Sequence, residues 1–161
     1  MIALIVAYSK NHAIGNKGSI PWKITGEQKR FKELTTGNVV IMGRNSYEEI
    51  GKPLPERTTI VISNTKKFQG ENLYTACSLK EAIKLSPNKD IYIAGGSKLY
   101  KEAIEIVDKM YITEIDEFIE GDTFFPEFNE EKFIKEINEH INGNIPYTYL
   151  TYTRKKEKYN E

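Results

Sequence analysis

Short runs of apolar and β-branched residues recur along the first two thirds of the chain. They are IALIVAY (2–8), NVVIMG (38–43), TTIVIS (58–63), DIYIAG (90–95) and KMYITEI (109–115). Continuous apolar runs of this length suit strands covered on both faces, as in a largely parallel sheet flanked by helices. The runs therefore predict the main strands of an α/β protein.

Helical patterns lie between these runs. Ser78-Leu79-Lys80-Glu81 has the spacing of a capping box, and SKLYKEAIEI (97–106) has apolar residues three and four positions apart. Alternation of strands and helices along one chain favours an α/β fold. Because the 161 residues show no linker or repeat, we expect a single domain over residues 1–161.

The last third of the chain has a different pattern. TYLTYTRK (148–155) alternates between two faces, which is typical of an antiparallel strand, and NGNIPY (142–147) supplies turn residues before it. EKFIKEINEHI (131–141) has apolar residues at helical spacing, so periodicity alone favours a helix there. An antiparallel edge on a parallel sheet is common, and one is expected at this end of the chain.

A further helix is predicted to begin near Thr25, where Gln28 completes a capping box. Glu27 then lies on the same face as Phe31 and Leu34, which should be apolar. The exposed face is predicted to consist of Gln28, Lys29, Arg30, Lys32 and Glu33. Two interpretations of Glu27 remain open, since it could be an N-terminal acid favoured by the helix dipole or a functional carboxylate.

Composition argues against several classes of function. The chain has 23 basic and 23 acidic residues, so its net charge of zero gives no general attraction to nucleic acid or anionic lipid. One cysteine, Cys77, excludes an internal disulfide and is interpreted as a packing residue, and no zinc-like spacing is present, so no metal is expected. The start lacks the basic n-region of a signal peptide and no apolar run reaches roughly 18 residues, so we expect a cytoplasmic protein.

Three predicted strands end in glycine or hydroxyl residues followed by a cation. The junctions are Gly43-Arg44-Asn45-Ser46, Ser63-Asn64-Thr65-Lys66 and Gly95-Gly96-Ser97-Lys98. In open α/β sheets ligands bind beyond the carboxyl ends of the strands, where backbone N–H groups and cations can hold a phosphate. Together the junctions could hold an extended polyanion such as a dinucleotide. Each alone is equally explained as a turn, and neither the GxGxxG fingerprint nor a P-loop motif is present.

The segment NHAIGNKGSIPW (11–22) is predicted to form a long loop after the first strand. Gly15 and Gly18 could act as hinges, and Ile14, Ile20 and Trp22 could cover a ligand as a lid does. The loop could equally fold back onto the core, which is the commoner position of a Trp side chain.

Five segments together resemble the dihydrofolate reductase family. They are IGNKGSIPW followed by a helix-borne acid, VVIMGRNSYEEIGKPLPER, IYIAGGSKLY, YITEID and EGDTFFP. The resemblance covers nearly the whole chain, and it implies NADPH-dependent reduction of 7,8-dihydrofolate to 5,6,7,8-tetrahydrofolate, with hydride transfer to C6 and protonation at N5. It also implies a single-domain α/β fold with a mixed, mostly parallel eight-stranded sheet flanked by helices and ending in antiparallel strands, in which 131–141 is mainly strand.

The resemblance also implies roles for individual residues. Glu27 resembles the family's active-site acid, which accepts hydrogen bonds from pterin N3 and the 2-amino group, and Thr113 and Trp22 are the other expected catalytic positions. Arg57 resembles the arginine that pairs with the glutamate α-carboxylate of the substrate. The substrate-binding positions are Ile5, Glu27, Phe31, Ile50, Leu54, Arg57, Ala94 and Thr113. The cofactor-binding positions are Ala7, Ile14, Gly15, Gly43, Arg44, Ser46, Ser63, Gly95, Gly96, Lys98 and Tyr100, and the family has a cis peptide at the position of Gly95-Gly96.

Four positions depart from the family's usual pattern. Glu27 stands where most bacterial members have Asp, and Ala94 stands where a larger aliphatic residue is usual, so weaker trimethoprim binding is expected. Asn64 and Lys98 stand where Ser or Thr and Arg are frequent. Because Lys lacks the fork of Arg, discrimination between NADPH and NADH is expected to be weaker than usual.

Two rival interpretations remain open. The related reductases of riboflavin synthesis share the fold and the use of NADPH, but they lack a buried acid opposite a pterin. A nucleotide-binding domain without turnover would bind NADPH only. The expected ligands are NADPH, dihydrofolate and antifolate inhibitors, with no nucleic acid or membrane partner. The chain is expected to be a monomer that serves tetrahydrofolate synthesis in one-carbon metabolism.

Overall fold

One eight-stranded sheet forms the centre of the protein in a computed structural model, which describes residues 1–15, 27–143 and 145–156. Its strands are β1 (Ile2–Ser9), β3 (Val39–Gly43), β4 (Thr58–Ile62), β5 (Leu73–Ala76), β6 (Ile91–Ile93), β7 (Lys109–Ile115), β9 (Phe133–Ile141) and β10 (Tyr147–Arg154). A separate pair consists of β2 (Ala13–Gly15) and β8 (Thr123–Phe124). The helices are α1 (Glu27–Thr35), α2 (Arg44–Ile50), α3 (Leu79–Leu85) and α4 (Ser97–Ile104), with a short 3-10 turn at Glu130–Lys132.

The large sheet is mixed, and its strand order is β5-β4-β3-β6-β1-β7-β10-β9. The six strands from β5 to β7 in this order are parallel, whereas β10 is antiparallel to β7 and β9 is antiparallel to β10. This confirms the predicted fold class and the antiparallel ending. It also confirms that most of 131–141 is strand, against its helical spacing.

In the part of the chain that the structure describes, four helices cover the sheet in two pairs, one pair on each face. Ile5 of β1 packs with Phe31 of α1, whereas the neighbouring Leu4 belongs to the cluster that contains Leu99 and Ala103 of α4. Because successive strand residues point to opposite faces, α1 and α4 lie on opposite sides of the sheet. Tyr47 places α2 on the α1 side, and α3 packs on the α4 side.

The four helices within the described residues are short, with seven to nine residues each. A membrane-spanning helix needs about 20 apolar residues. Within the described ranges, no helix has the length and apolar character needed to cross a bilayer.

The predicted cap of α3 is present in a modified form. The Ser78 hydroxyl accepts a hydrogen bond from the Glu81 backbone N–H at 3.1 Å. The Glu81 carboxylate accepts from the backbone N–H of Cys77 at 3.0 Å, one residue before the position that a standard capping box uses. Cys77 itself is exposed. Its interpretation as a packing residue was wrong, because it lies in the turn that leads into α3 and not on the covered part of β5.

Strand β1 separates from β6 half-way along its length. It pairs with β6 only as far as Leu4, opposite Ile93, but with β7 as far as Ser9. The chain leaves β1 through α1 toward β3, and it leaves β6 through α4 toward β7 on the other side. Ligands of open α/β sheets bind where neighbouring strands send their connections in opposite directions. The gap between β1 and β6 is therefore the expected ligand position.

Candidate active site

Glu27, the first residue of α1, has its carboxylate turned toward the sheet. Its Oε2 atom is buried and has no hydrogen-bond partner among the described residues. The hydroxyl of Thr113 on β7, itself buried, donates to the carboxylate. Burial raises the pKa of Glu27, and the Thr113 hydrogen bond and the Arg30 charge partly offset this effect. A buried carboxylate oxygen with a free acceptor position suits a ligand that brings N–H donors.

An apolar wall lies beside this carboxylate. Phe31, Leu54 and Ala94 are half-buried and pack against the buried cluster of Val40 and Met42. These side chains come from α1, from the loop after α2 and from the end of β6, and they can contact a flat aromatic ligand.

Ile5 and Ile50 occupy different places in this region. The Ile5 carbonyl, at the point where β1 leaves β6, accepts a hydrogen bond from the Tyr100 hydroxyl at 2.8 Å. A carbonyl oxygen has two lone pairs, so it can still accept from a ligand. Ile50 is the last residue of α2 and is 42% exposed, so it offers an open apolar surface and not a buried wall.

Arg57 is a buried cation at the end of the apolar wall, with only 6% of its surface exposed. Its Nε donates to the Pro55 carbonyl at 2.9 Å, and its Nη1 donates to the Thr35 hydroxyl at 3.2 Å. The Thr35 hydroxyl donates in turn to the Phe31 carbonyl at 2.7 Å. Burial lowers the pKa of Arg57, but a guanidinium remains protonated at neutral pH. Its remaining N–H groups can pair with a carboxylate.

A cavity of about 660 Å³ lies beyond the carboxyl ends of β3, β4 and β6. Six of the predicted cofactor residues line it: Gly43, Arg44, Ser46, Ser63, Gly96 and Lys98. Helices α2 and α4 begin here at Gly43 and Gly96, and neither glycine has a side chain to cap the first N–H groups. The free N–H donors of these helix starts can hold an anion.

Arg44 supplies positive charge to the cavity, and its guanidinium also pairs with the Glu48 carboxylate. Its Nε donates to Glu48 at 2.9 Å, and its Nη1 donates to the Thr65 hydroxyl at 2.7 Å. The Arg44 hydrogen bond holds the pKa of Glu48 below its usual range. Lys98 is exposed at the rim and adds a second cation. The junctions predicted from the sequence as a phosphate site do lie together.

The Gly95-Gly96 peptide bond is cis, as the family resemblance implies. Gly95 has a φ of +106°, and a Cβ atom there would lie 3.3 Å from the Tyr100 hydroxyl. Its carbonyl accepts from the Gly43 N–H at 2.8 Å, which joins the two glycine junctions. Glycine is required at position 95 because both the backbone angle and the close Tyr100 ring disfavour a side chain.

The remaining predicted cofactor residues lie outside the lining of this cavity. Ala7 pairs with Thr113 across β1 and β7, and Ile14 and Gly15 belong to β2, which pairs with β8. Gly95 and Tyr100 support the β6–α4 junction from the buried side. The predictions for Trp22, and for the lid and cap residues from 16 to 26, lie outside the described residues.

Comparison with known proteins decides the family of this chain. The family model described as dihydrofolate reductase matches residues 1–154. The chain belongs to the dihydrofolate reductase family.

Named relatives of this family match the chain over nearly its full length. It is 38% identical over 159 residues to "Dihydrofolate reductase type A13" of Escherichia coli, covering 96% of this chain and 94% of the relative. It is 35% identical over 161 residues to the dihydrofolate reductase of Staphylococcus aureus, covering 96% and 99%. A solved structure titled as dihydrofolate reductase from Enterococcus faecalis complexed with NADP(H) and RAB-propyl has a TM-score of 0.84 and 34% identity, covering 97% of each chain.

One prediction about helix α1 was wrong. Arg30 was assigned to the exposed face of α1, but it is half-buried and its guanidinium carbon lies 3.6 Å from the ring centroid of Tyr149. No local sequence pattern indicates this contact, because Tyr149 lies on β10, 119 positions after Arg30. Thr35, which holds Arg57, was missed for a similar reason, since a threonine at the end of a helix has no distinctive pattern.

Proposed function

We propose that the protein reduces 7,8-dihydrofolate to 5,6,7,8-tetrahydrofolate with NADPH, which is oxidised to NADP⁺. The observation that carries this proposal is the buried, partly unsatisfied Glu27 carboxylate, held by Thr113, in a chain of the dihydrofolate reductase family. Rings of the pterin type carry two adjacent N–H donors, and a carboxylate has two acceptor oxygens to match them. The named relatives and the NADP(H)-bound neighbour support the same reaction.

The residues of the substrate half have separable tasks. Glu27 binds and orients the pterin, and the Thr113 hydroxyl fixes the carboxylate. Phe31 and Leu54 contact the flat rings and exclude water, which strengthens the hydrogen bonds to Glu27. Arg57 binds the α-carboxylate of the glutamate tail. By stabilising positive charge on the pterin, Glu27 promotes protonation at N5, with the proton coming from water.

The residues that line the cavity beyond β3, β4 and β6 fit the phosphate groups of a dinucleotide such as NADPH. NADPH, when bound, supplies the hydride for C6 of the pterin. The uncapped starts of α2 and α4 offer backbone N–H donors for the pyrophosphate, and Arg44 and Lys98 offer positive charge for the 2′-phosphate. The cavity of about 660 Å³ is of the size that small-molecule sites have.

The experiment that tests this proposal follows NADPH absorbance when dihydrofolate is added to the purified protein. The expected result is a fall in absorbance that needs both compounds and yields tetrahydrofolate. Oxidation of NADPH only with an opened ribosyl-pyrimidine would instead indicate a riboflavin-type reductase. Tight NADPH binding without oxidation would indicate a binding domain. Either of these results would overturn the proposal.

Replacing Arg44 with Gln is expected to lower kcat/KM for NADPH about 10- to 100-fold and to leave kcat/KM for NADH nearly unchanged. Only NADPH carries the 2′-phosphate, and a charge-assisted hydrogen bond contributes about 1.5–3 kcal/mol. Steady-state kinetics with both cofactors measure the effect. Lys101→Gln is the control, since Lys101 is exposed on α4 and does not line the cavity. Equal losses with both cofactors would contradict the role of Arg44.

Trimethoprim is expected to inhibit this protein more weakly than a typical bacterial dihydrofolate reductase. Ala94 is half-buried in the apolar wall beside Phe31, and a larger residue there would contact the inhibitor over more area. Ala94→Ile is therefore expected to lower the inhibition constant about 10- to 60-fold, since Ile adds three carbon atoms and each buried CH₂ contributes about 0.8 kcal/mol. The KM for dihydrofolate in each variant serves as the control. Stoichiometric titration of the wild type by trimethoprim would contradict the expectation.

A further inference from the structure

Two unpartnered polar atoms of opposite character lie one turn apart on α1. Within the described part of the chain, Glu27 Oε2 and Arg30 Nη1 are both buried and without a hydrogen-bond partner. Residues three apart on a helix project to the same side, so the carboxylate and the guanidinium face the same region. An isolated buried charge is costly, whereas two opposite charges close together stabilise each other.

Arg30 is fixed in this region by an aromatic ring. Its guanidinium carbon lies 3.6 Å from the ring centroid of Tyr149, which is a close cation–π contact. On the sheet, Tyr149 of β10 lies directly opposite Thr113 of β7. Residues opposite each other in an antiparallel pair project to the same face. The ring that holds Arg30 is therefore a neighbour of the hydroxyl that holds Glu27.

Four residues, Glu27, Thr113, Tyr149 and Arg30, thus form a circuit of neighbours. Thr113 donates to Glu27, Tyr149 lies opposite Thr113 in the sheet, the Arg30 guanidinium stacks on Tyr149, and Arg30 follows Glu27 by three residues on α1. The circuit involves α1, β7 and β10, which are distant in sequence. Its only formal positive charge is that of Arg30, and its only formal negative charge is that of Glu27.

Other titratable groups face this pair from the surrounding elements. They are Tyr100 of α4, Tyr111 of β7, Glu139 of β9, and Tyr147 and Tyr149 of β10. Burial raises the pKa of Tyr100 and of Tyr149, so neither adds a negative charge beside Glu27 at physiological pH. Glu139 lines the cleft that also contains Arg30 and competes for its charge. Arg30 is accordingly the cation that acts on Glu27 from within the described ranges.

We propose that Arg30 is a positioning residue, held by Tyr149, that keeps the buried Glu27 carboxylate ionised and oriented toward the pterin. This inference rests on the proposed function, because it assigns Arg30 a task in dihydrofolate binding. An ionised carboxylate presents two acceptor oxygens to the N–H donors of the ligand, whereas a protonated one presents a donor in place of one acceptor. Without the Arg30 charge, only the Thr113 hydrogen bond would oppose the effect of burial, which raises the pKa of Glu27.

The test is a carbon-13 NMR titration of the Glu27 carboxyl group, assigned with Glu27→Gln, in variants of Arg30 and its neighbours. In Arg30→Met the titration midpoint of Glu27 is expected to move to higher pH, and in Arg30→Lys most of the wild-type midpoint is expected to return. Lys29→Met is the matched control, because Lys29 lines the same cleft but its side chain is 80% exposed. The titration midpoint of Glu27 in Lys29→Met should equal that in the wild type.

The role of the ring is tested in the same way. Tyr149→Leu should move the midpoint in the direction of Arg30→Met, whereas Tyr149→Phe, which keeps the ring, should leave it in place. If Arg30→Met does not fold, the Tyr149 variants and Arg30→Lys carry the test. In turnover, Arg30→Met is expected to raise the KM for dihydrofolate about tenfold, more than it lowers kcat.

An unchanged Glu27 midpoint in Arg30→Met, or an equal shift in Lys29→Met, would overturn the inference. The titration does not depend on turnover, so it separates this inference from the proposed function. A shifted midpoint in a protein that does not reduce dihydrofolate would refute the task in catalysis. An unshifted midpoint in an active reductase would refute the role of Arg30 and leave the proposed function standing.

Discussion

Glu27→Gln is expected to lower kcat/KM for dihydrofolate by about 10²–10³-fold, the range of a lost acid–base group. The amide keeps the size of the side chain but replaces one acceptor oxygen with a donor, which opposes the N–H groups of the pterin. Steady-state kinetics measure the loss, and fluorescence titration with NADPH should show unchanged cofactor binding. Glu27→Asp should retain much of the activity because it keeps the carboxylate.

The control for Glu27→Gln is a carboxylate on the exposed face of the same helix, α1. Glu33→Gln removes an exposed carboxylate of the same helix and should leave kcat/KM unchanged. Activity of Glu27→Gln equal to that of the wild type would contradict the assignment of Glu27.

Glu27→Gln is expected to lower activity but to raise the free energy of unfolding at neutral pH. Burial raises the pKa of Glu27 above its ordinary value of 4.5, so ionisation is less favourable in the folded state than in the unfolded state. Well below pH 4.5, Glu27 is protonated in both the folded and the unfolded state. The wild type and Glu27→Gln should then be equally stable. As pH rises through the folded pKa, the wild type should lose stability relative to Glu27→Gln, which urea denaturation at several pH values measures.

Arg57→Gln is expected to lower kcat/KM for dihydrofolate about 10²-fold, mainly through KM. Arg57 is buried, and Pro55 and Thr35 fix its orientation, so its free N–H groups meet the substrate carboxylate without reorganisation. Truncating one partner of a buried charge pair removes about 2–5 kcal/mol of binding. The effect is measured as the KM and kcat of the variant with the full substrate.

The matched control is a reduced pterin substrate that lacks the glutamate tail. The wild type and Arg57→Gln should turn over this compound equally well, because it has no α-carboxylate for Arg57 to bind. A similar loss with both substrates would show that Arg57 acts through the structure of the site. Thr35→Val should reproduce part of the effect, since it removes the hydroxyl that holds Nη1.

Most of the parallel strands could be predicted from the sequence because their residues are largely buried on both faces. Val39, Val40 and Ile41 of β3 are fully buried, and most residues of β1 are buried. Such strands need continuous apolar runs, and these stand out in any chain. Strand β5 and helix α2 escaped prediction because each is short, and α2 buries only Tyr47, which gives no period.

The helical spacing of β9 was misleading for a physical reason. Ile134 and Ile137, which create that spacing, are 59% and 68% exposed, so their positions record no buried face. The segment is a strand because it pairs with β10 along its whole length. Pairing with a distant partner is a tertiary effect that local periodicity does not contain.

The candidate site was partly predictable for similar reasons. Glu27 was conspicuous because a carboxylate on an apolar stripe breaks a local pattern, and the glycine and cation junctions stood out at strand ends. The role of Arg30 could not be predicted, because an arginine beside lysines on a short helix is typical of a solvent-exposed face. Its burial depends on Tyr149 from β10, which only the folded sheet brings near α1.

The most direct measurement uses NADPH with deuterium at both positions of nicotinamide C4 and follows its transfer to dihydrofolate. Mass spectrometry and NMR of the product should show tetrahydrofolate with one deuterium at C6, formed one-for-one with NADP⁺. Failure to form tetrahydrofolate, or formation of a product without deuterium at C6, would contradict hydride transfer between the two ligands in this site.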